Sequence, residues 1–539
     1  MQRHTRGILM AWGLSAAGLI PAPVARADDL AAKIERLEQQ VQELKRELAA
    51  QRAATAPAPA APAGAEPARP TEYAKPPAPE RAVPAASAAA QPTTEPVAGA
   101  PIGRFLDRVR IGGYGAMRFE ASDLKDQKTS FVFRRFVLTA DADIAPRLRS
   151  AFELEFERFR KLELEKSAAP EDGALEVEQA VDGTTDSEIA LEQAWLQYDI
   201  YDWLRLRGGG VLVPLGRFNI NHDDNRWDLP RRSLVDRGVP VLPSTAAWSE
   251  VGAGFVGDVP VTDEGLLTYQ AYLMNGVALD TEFEQFAVSG EKTGVEVSVF
   301  PASGGFAADV NDSKAFAGRF AYSPGIGHEL AGSWYYGQYT PDFLDSEDLW
   351  AIGIDGRTEY GPFELEGQWI FTRFDGTQSV AQSLARVAGE QEAQSADPTL
   401  ETEVDFELSN LARNKYGYWL DLRYRFWPAL LSDTFIGRHF STPQFVAVVR
   451  GEQAWLDDRI TDVAFSGGAV TAFQTENRRV DRVTLGLAYR PVPLVVFQLA
   501  YEYTQTDAGK SLAGVTNYLP AQAGEDNAHM VLIGSAFGF

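Results

Sequence analysis

The feature that most constrains this chain is a two-residue rhythm of polarity repeated along most of its length. From Ile102 to Phe539, stretches of ten to fifteen residues alternate apolar with polar side chains and stop at turn residues. In Leu494–Thr504, Val495, Phe497, Leu499, Tyr501 and Tyr503 share one face, and Gln498, Ala500, Glu502 and Thr504 share the other. In Tyr416–Phe426, Tyr418, Leu420, Leu422, Tyr424 and Phe426 oppose Asp421, Arg423 and Arg425. Such a period belongs to strands with two unlike environments, since successive side chains of a strand point to opposite faces. Sixteen segments carry it: Val109–Ala121, Thr129–Ile144, Leu148–Phe159, Ile189–Asp202, Trp203–Phe218, Ala247–Val259, Leu266–Gly276, Lys314–Pro324, His328–Thr340, Asp348–Pro362, Phe363–Gly376, Lys415–Pro428, Pro443–Leu456, Arg478–Val492, Leu494–Thr506 and His529–Phe539.

Alternation alone fits a soluble sandwich as well as a membrane barrel. The connections discriminate. Long ones (Ser122–Lys128, Arg160–Glu188, Asn219–Ala246, Val277–Ser313, Pro341–Glu347, Thr377–Asn414, Asp457–Asn477 and Asp507–Ala528) take turns with short ones such as Ala145–Arg147, the Asp202/Trp203 junction, Gly361-Pro362 and Pro491–Pro493. Ala429–Thr442 departs from the short pattern. Even strand number, tight turns at one end and long loops at the other predict an antiparallel transmembrane β-barrel of sixteen strands. In hydrocarbon every backbone polar group needs a partner, which only a closed sheet gives to strands. Sixteen strands enclose a lumen wide enough for water. The final segment, with Val531, Ile533, Phe537 and Phe539 on one face, ends in an aromatic residue, as terminal strands of bacterial outer-membrane proteins do.

Three shorter regions precede the barrel. Met1–Arg6 is basic, Gly7–Ile20 apolar, and Ala25-Arg26-Ala27 a small-x-small site, so residues 1–27 are expected to be a cleaved secretory signal peptide. Leu30, Ile34, Leu37, Val41, Leu44 and Leu48 step by four and three, which predicts a short coiled coil over residues 28–50 with β-branched or Leu side chains at a and Leu at d. The segment 51–101 is Ala/Pro-rich (APAPAAPAGAEPARP, AKPPAPERAVPAA) and reads as an extended linker. About 50 residues at about 3.1 Å each reach on the order of 150 Å, enough to cross a compartment.

Composition excludes several functions. There is no Cys among 539 residues, so neither a disulfide framework nor a thiolate metal site is available. The formal net charge is −25, which argues against nucleic acid as a partner. Much of the acid sits in long loops, such as Glu163, Glu165, Glu171, Asp172, Glu176 and Glu178, or Glu390, Glu392, Asp397, Glu401, Glu403 and Asp405. Those carboxylates are read as solvated, with shared divalent cations to lipopolysaccharide as the alternative; none has EF-hand spacing. No Gly-rich phosphate motif or metal-ligand cluster is present, so no cofactor and no metal are expected.

The run Leu191–Arg237, continuing through Trp248–Gly257, resembles the phosphate-selective porin O/P family. The resemblance rests on the EQAW-x-x-Y strand at Glu192, the G-x-x-x-P-x-G-R-F segment ending at Phe218, the RRSLV loop at Arg231 and the V-G-x-x-F-x-G strand at Val251. It implies a homotrimer of sixteen-stranded outer-membrane barrels, a third long loop folded inward as a constriction, and passive, often anion-favouring uptake of small solutes. A trimeric barrel would override the dimer-leaning a/d pattern of the helix. The third long connection here is Asn219–Ala246.

A constriction selects by the charges that ring it. Loop 219–246 offers Arg226, Arg231, Arg232 and Arg237 against Asp223, Asp224, Asp228 and Asp236. Strand phase places Arg118, Arg205, Arg207, Arg423, Arg425, Arg482 and Arg490 towards the lumen, facing Glu153, Glu155, Glu157, Glu364, Glu366, Asp421 and Glu502. The arginines form either a ladder for phosphate-like or carboxylate anions or one half of ion pairs that keep the lumen wet. The barrel's lysines (Lys125, Lys128, Lys161, Lys166, Lys292, Lys314, Lys415 and Lys510) are assigned to loops and strand ends, away from the constriction, where a phosphate-type pore is expected to place them. The sequence thus supports a porin more firmly than a phosphate porin. Catalysis is not expected: among the histidines only His222 lies in the constriction loop, near Asp223 and Ser233, a set that any polar loop supplies. The alternative is a structural tether, with residues 30–48 reaching peptidoglycan and the barrel as anchor.

Overall fold

In the computed structural model the described residues are 108–539, apart from 126–127, 158–161, 172–173, 184–187, 237–240, 245–246, 288–291, 304–310, 396–400, 408–410, 467–468, 511 and 513–524. The expected signal peptide, coiled coil and linker lie outside the described residues.

The strands run in chain order β1 (Val109–Ser122), β2 (Ser130–Ala145), β3 (Leu148–Glu157), β4 (Leu162–Glu171), β5 (Ala174–Gly183), β6 (Glu188–Tyr201), β7 (Leu204–Leu212), β8 (Ser249–Pro260), β9 (Leu266–Met274), β10 (Val277–Ala287) and β11 (Lys292–Ser303). They continue with β12 (Ala315–Gly325), β13 (His328–Gln338), β14 (Asp348–Tyr360), β15 (Phe363–Phe374), β16 (Glu401–Glu407), β17 (Ala412–Phe426), β18 (Gln444–Ser466), β19 (Ala469–Val492), β20 (Val495–Thr506) and β21 (Asn527–Gly538). Among the described residues two α-helices are α1 (Gly216–Ile220) and α2 (Thr377–Ser395).

Sixteen strands pair antiparallel with their sequence neighbours in the barrel, and β21 returns to β1, with Phe537 opposite Gly115, so the sheet closes. These are the sixteen segments read from the sequence. Among the described residues no helix is long and apolar enough to cross a membrane, and this chain offers strands instead. The outer face carries the apolar phase: Phe152, Leu196, Phe255, Leu273, Phe320, Ile354, Leu420, Leu485, Leu499 and Ile533 are all exposed. An apolar belt of this size around a closed sheet is a lipid-facing surface.

Several boundaries differ from the sequence reading. The long connections hold structure of their own: β4 pairs with β5, while β10, β11 and β16 form a second small sheet, and α2 occupies part of 377–414. The segments Leu162–Lys166 (LELEK) and Leu175–Val181 (LEVEQAV) alternate too, but over fewer residues than a membrane crossing needs. The expected loop 457–477 is largely ladder, because β18 and β19 continue pairing to Ser466↔Ala469. The expected strand Trp203–Phe218 stops at Leu212, where Pro214 withdraws a donor from the ladder. Lys415 is not at a strand end but the fourth residue of β17, buried, its ammonium 4.8 Å from the Phe374 ring. Lys166 falls mid-strand in β4, within a long connection, while Lys292 opens β11 and so sits at a strand end as expected.

Candidate functional site

The third long connection does not project from the barrel mouth. It turns inward after β7 and meets the inner wall on nearly every side. Its base is closed by Asn219, whose amide donates to the carbonyls of Val213 (2.8 Å) and Trp248 (3.0 Å) and accepts from the Trp248 N–H (2.8 Å). One buried Asn thus ties the entering chain to the leaving one.

The turn into α1 explains the G-R-F part of the motif. Gly216 has φ +71, and a Cβ there would sit 2.5 Å from the Gln368 side-chain oxygen. That oxygen accepts from the N–H groups of Arg217 (2.6 Å) and Phe218 (2.8 Å), the free donors of the helix start. A side chain at 216 would displace the acceptor that holds the turn. Arg217 crosses to Glu329 (2.6 Å) and Glu366, and Phe218 stacks on Trp227 with centroids 4.5 Å apart. The sequence reading does not single out Arg217, although it shares the inward phase of Arg205 and Arg207 in the expected strand and lies inside the motif.

Beyond Trp227 the loop runs along the opposite wall. The Trp227 carbonyl accepts from Arg490 (3.1 Å) and Gln498 (2.8 Å), and Asp228 pairs with Arg490 (2.7 Å) and Arg423 (3.4 Å). Arg118 donates to the Pro230 carbonyl at 2.7 Å. Arg231 pairs with Glu502 (3.2 Å), its carbonyl accepts from Arg450 (3.3 Å), and Glu452 accepts from the Leu234 N–H (2.9 Å). Thr372 donates to the Val241 carbonyl at 2.6 Å. Arg237 lies outside the described residues.

Near the start of the loop, Asp224 faces Arg135 (3.3 Å), Arg134 (3.9 Å) and Arg232 (3.9 Å). Burial alone would raise this carboxyl; the three guanidiniums, Arg135 foremost, hold it well below the usual range. His222 is wholly buried, with Nδ1 2.8 Å from the Asn219 carbonyl and Nε2 3.2 Å from Glu192. Burial pulls its pKa down, but the Glu192 and Asp223 carboxylates outweigh it and raise the ring to about 9.

The remaining expected wall residues pair among themselves. Arg135 takes Glu155 (2.9 Å) and Glu157 (3.5 Å), and Gln193 donates to Glu153 (2.7 Å). Arg423 holds Glu364 (2.7 Å) and Glu366, Arg425 holds Glu364, and Asp421 takes Arg450 (2.6 Å). Arg482 donates to Thr504 (2.9 Å), Arg205 pairs with Asp258 (2.8 Å), and Arg207 donates to Gln197 (2.7 Å) while lying 4.2 Å over the Trp195 ring. Strand phase also implied Glu120, Arg450 and Glu452, which the sequence reading left out. Arg134 was not accessible that way: the β1–β2 register slips between Ala116 and Met117, so Arg134 and Arg135 both turn inward.

The lumen is therefore narrower than sixteen strands alone imply. Arg118, Glu120, Arg135, Asp421, Arg450, Arg482 and Glu502 are at most 3% exposed, although all face the interior of the barrel. The inward loop occupies much of the space that sixteen strands enclose. Solvent reaches inward-facing charges at the short-turn end, where the side chains of Arg149, Asp199, Asp258 and Arg357 are 31%, 23%, 33% and 30% exposed. It also reaches a strip of the loop itself: Asp223 (19%), Asp224 (15%) and Arg226 (57%).

No family model matches the chain. It is similar to an uncharacterized protein of Aquifex aeolicus (strain VF5), 24% identical over 396 residues that cover 73% of this chain and 75% of that one. Among solved structures it is similar to an anion-selective porin from Comamonas acidovorans (12% identity, 80% of this chain and 99% of that one, TM-score 0.43). It is similar also to OmpF of Salmonella typhi in complex with daunomycin (10%, 80% and 97%, TM-score 0.44) and to the outer-membrane channel DcaP of Acinetobacter baumannii (8%, 80% and 97%, TM-score 0.37).

Proposed function

We propose that this protein is an outer-membrane porin in which loop 219–246 narrows the barrel to a small conducting path for passive diffusion of small solutes. The observation that carries the reading is the loop's strip of partly exposed charge inside a closed, lipid-facing barrel: Asp223, Asp224 and Arg226 keep contact with solvent while the surrounding wall is buried. A selectivity element has to touch the permeating solute, and partly exposed charges on the inward loop are suited to that.

The preference we assign is a mild one for anions, carboxylate or phosphate-like, with Arg226 as the most accessible cation of the strip and Arg207 and Arg205 below it. Most other arginines of the expected ladder are neutralised by carboxylates, so they set the shape of the path more than its charge. Membership of the phosphate-selective O/P group, cleavage after Ala27, a trimer supported by the N-terminal coiled coil, and lipopolysaccharide contacts at the long loops belong to the same proposal. So does the division into residues 1–27, 28–50, 51–101 and 102–539.

Purified protein in a planar bilayer tests it: stepwise conductance with small steps and a reversal potential on the anion side are expected. A second reading, in which the barrel only anchors a tether to peptidoglycan, draws on the packed lumen. That reading predicts no steps, and deletion of residues 28–100 would loosen the envelope with solute flux unaltered.

A further inference from the structure

We infer that Glu153 of β3, Glu192 of β6 and His222 of the inward loop form a binding site for one divalent transition-metal ion of the Zn²⁺ or Mn²⁺ type. The proposal stands apart from the transport reading, since an ion here pins the loop to the wall whether or not the barrel conducts.

The donor atoms of these three side chains lie within 4.8 Å of one another, and all three residues are buried, at 7%, 7% and 1% exposure. The histidine geometry points to a ligand. A carbonyl can only accept, so the 2.8 Å contact with the Asn219 carbonyl fixes the ring proton on Nδ1. Nε2 faces a Glu192 oxygen 3.2 Å away, so a positive charge has to lie between them. In the metal-free protein that charge is the imidazolium proton, which a bound metal ion would displace to take the Nε2 lone pair. Histidines that bind metals usually donate their other N–H to a carbonyl or carboxylate, the arrangement found here.

Glu153 gives the second, independent sign. Its neighbours in the same strand phase, Glu155 and Glu157, both take Arg135. Glu153 receives only the neutral amide of Gln193 (2.7 Å), with no Arg or Lys partner among the described residues. Its nearby cation is His222, which Glu192 and Asp223 share, so this buried carboxylate is costly to keep ionised until a further charge arrives. Asp223, with an oxygen 3.9 Å from His222 Nε2 and a 19% exposed side chain, supplies a further carboxylate and a route from solvent. One imidazole with two or three carboxylates suits Zn²⁺ or Mn²⁺ better than Ca²⁺ or Mg²⁺, which favour all-oxygen sets.

The full-length protein, stripped with chelator and kept folded in detergent, is titrated with Zn²⁺ in excess Mg²⁺, and with Mn²⁺ under electron paramagnetic resonance. Expected are one Zn²⁺ per chain and Mn²⁺ carrying nitrogen hyperfine coupling from a single imidazole. Glu153→Gln, which keeps its bond to Gln193, and His222→Gln should each weaken binding by about tenfold or more. Absence of stoichiometric binding overturns the proposal. So does binding that both substitutions leave unchanged, which assigns the ions to the acidic long loops, or bound Mn²⁺ without nitrogen coupling. If His222→Gln fails to fold, the coupling in the unmodified protein decides.

Discussion

The inward loop is held in two chemically different ways on the two sides of the barrel. Towards β8, β9, β13 and β15 it packs as an apolar core: Val213, Leu215, Phe218, Val241, Leu242 and Trp248 join Tyr272, Met274, Tyr335 and Ile370 in one buried cluster. Towards β1, β2, β17, β19 and β20 it is held by ion pairs and charge-assisted hydrogen bonds, among them Arg135–Asp224, Arg231–Glu502 and Arg490–Asp228. The apolar side depends little on salt and pH, its Arg217 pairs with Glu329 and Glu366 apart, whereas the ionic side depends on protonation states throughout. The first works as a hinge and the second as a latch. Breaking the hinge should have the larger effect. Trp248 is 1% exposed, 4.9 Å from the Tyr335 ring and hydrogen-bonded to Glu250. Trp248→Ala should cost about 3–5 kcal/mol, read as a lower denaturant midpoint of the folded barrel and as larger, noisier conductance. Unchanged conductance would dismiss the hinge.

The latch is tested next. Arg423 is the shared partner of Asp228, Asp421, Glu364 and Glu366. Arg423→Met takes one guanidinium from four carboxylates that each keep another arginine (Arg490, Arg450, Arg425 and Arg217), so a loss of about 1.5–3 kcal/mol is expected, with the loop still anchored on its apolar side. Equal effects of Trp248→Ala and Arg423→Met on loop mobility would erase the distinction between the two sides. A milder perturbation is pH, with chelator present. Because the His222 pKa is raised to about 9 from an ordinary value of 6.5, its ion pair with Glu192 contributes fully below the unfolded value and is lost as pH rises through about 9. Amide exchange of residues 219–228 should therefore quicken between neutral pH and pH about 10, and His222→Gln should remove that dependence. A His222→Gln variant that keeps the full pH response would exclude His222 as its source.

The outer half of each strand was legible in the sequence because lipid imposes one rule on every outward position. All sixteen barrel strands followed from that rule and from the alternation of connection lengths. The inner half obeys no single rule: a lumen position is arginine, valine or glutamine according to what the loop brings opposite it. Val446, Val448 and Val496 face inward and are buried, against the rule that places apolar side chains on the outward phase. Strand phase could place Arg423 and Glu366 inside the barrel, but not Arg134, which depends on a bulge, nor the partners of Arg217, which depend on a helix breaking out of β7. The cluster Glu153, Glu192 and His222 joins positions 30 and 39 residues apart in sequence, through a β3–β6 register that linear spacing does not contain.

The smallest expected effect on stability falls where the two sides meet solvent. Arg226 is 57% exposed, pairs with Asp223 (2.7 Å) three residues earlier and donates to the Asn221 side chain (3.0 Å). An exposed pair of this kind contributes about 0–1 kcal/mol, so Arg226→Ala should leave the unfolding midpoint nearly unmoved. Its charge nevertheless sits on the strip that solvent reaches, where removal leaves Asp223 unopposed. The reversal potential in a salt gradient should then shift towards cations, while Arg226→Lys restores most of the original value. This separates two properties that coincide in Arg423, whose charge is spent on holding the loop. A shift with Arg423→Met but none with Arg226→Ala would mean that selectivity is set by the buried lattice instead of the exposed strip.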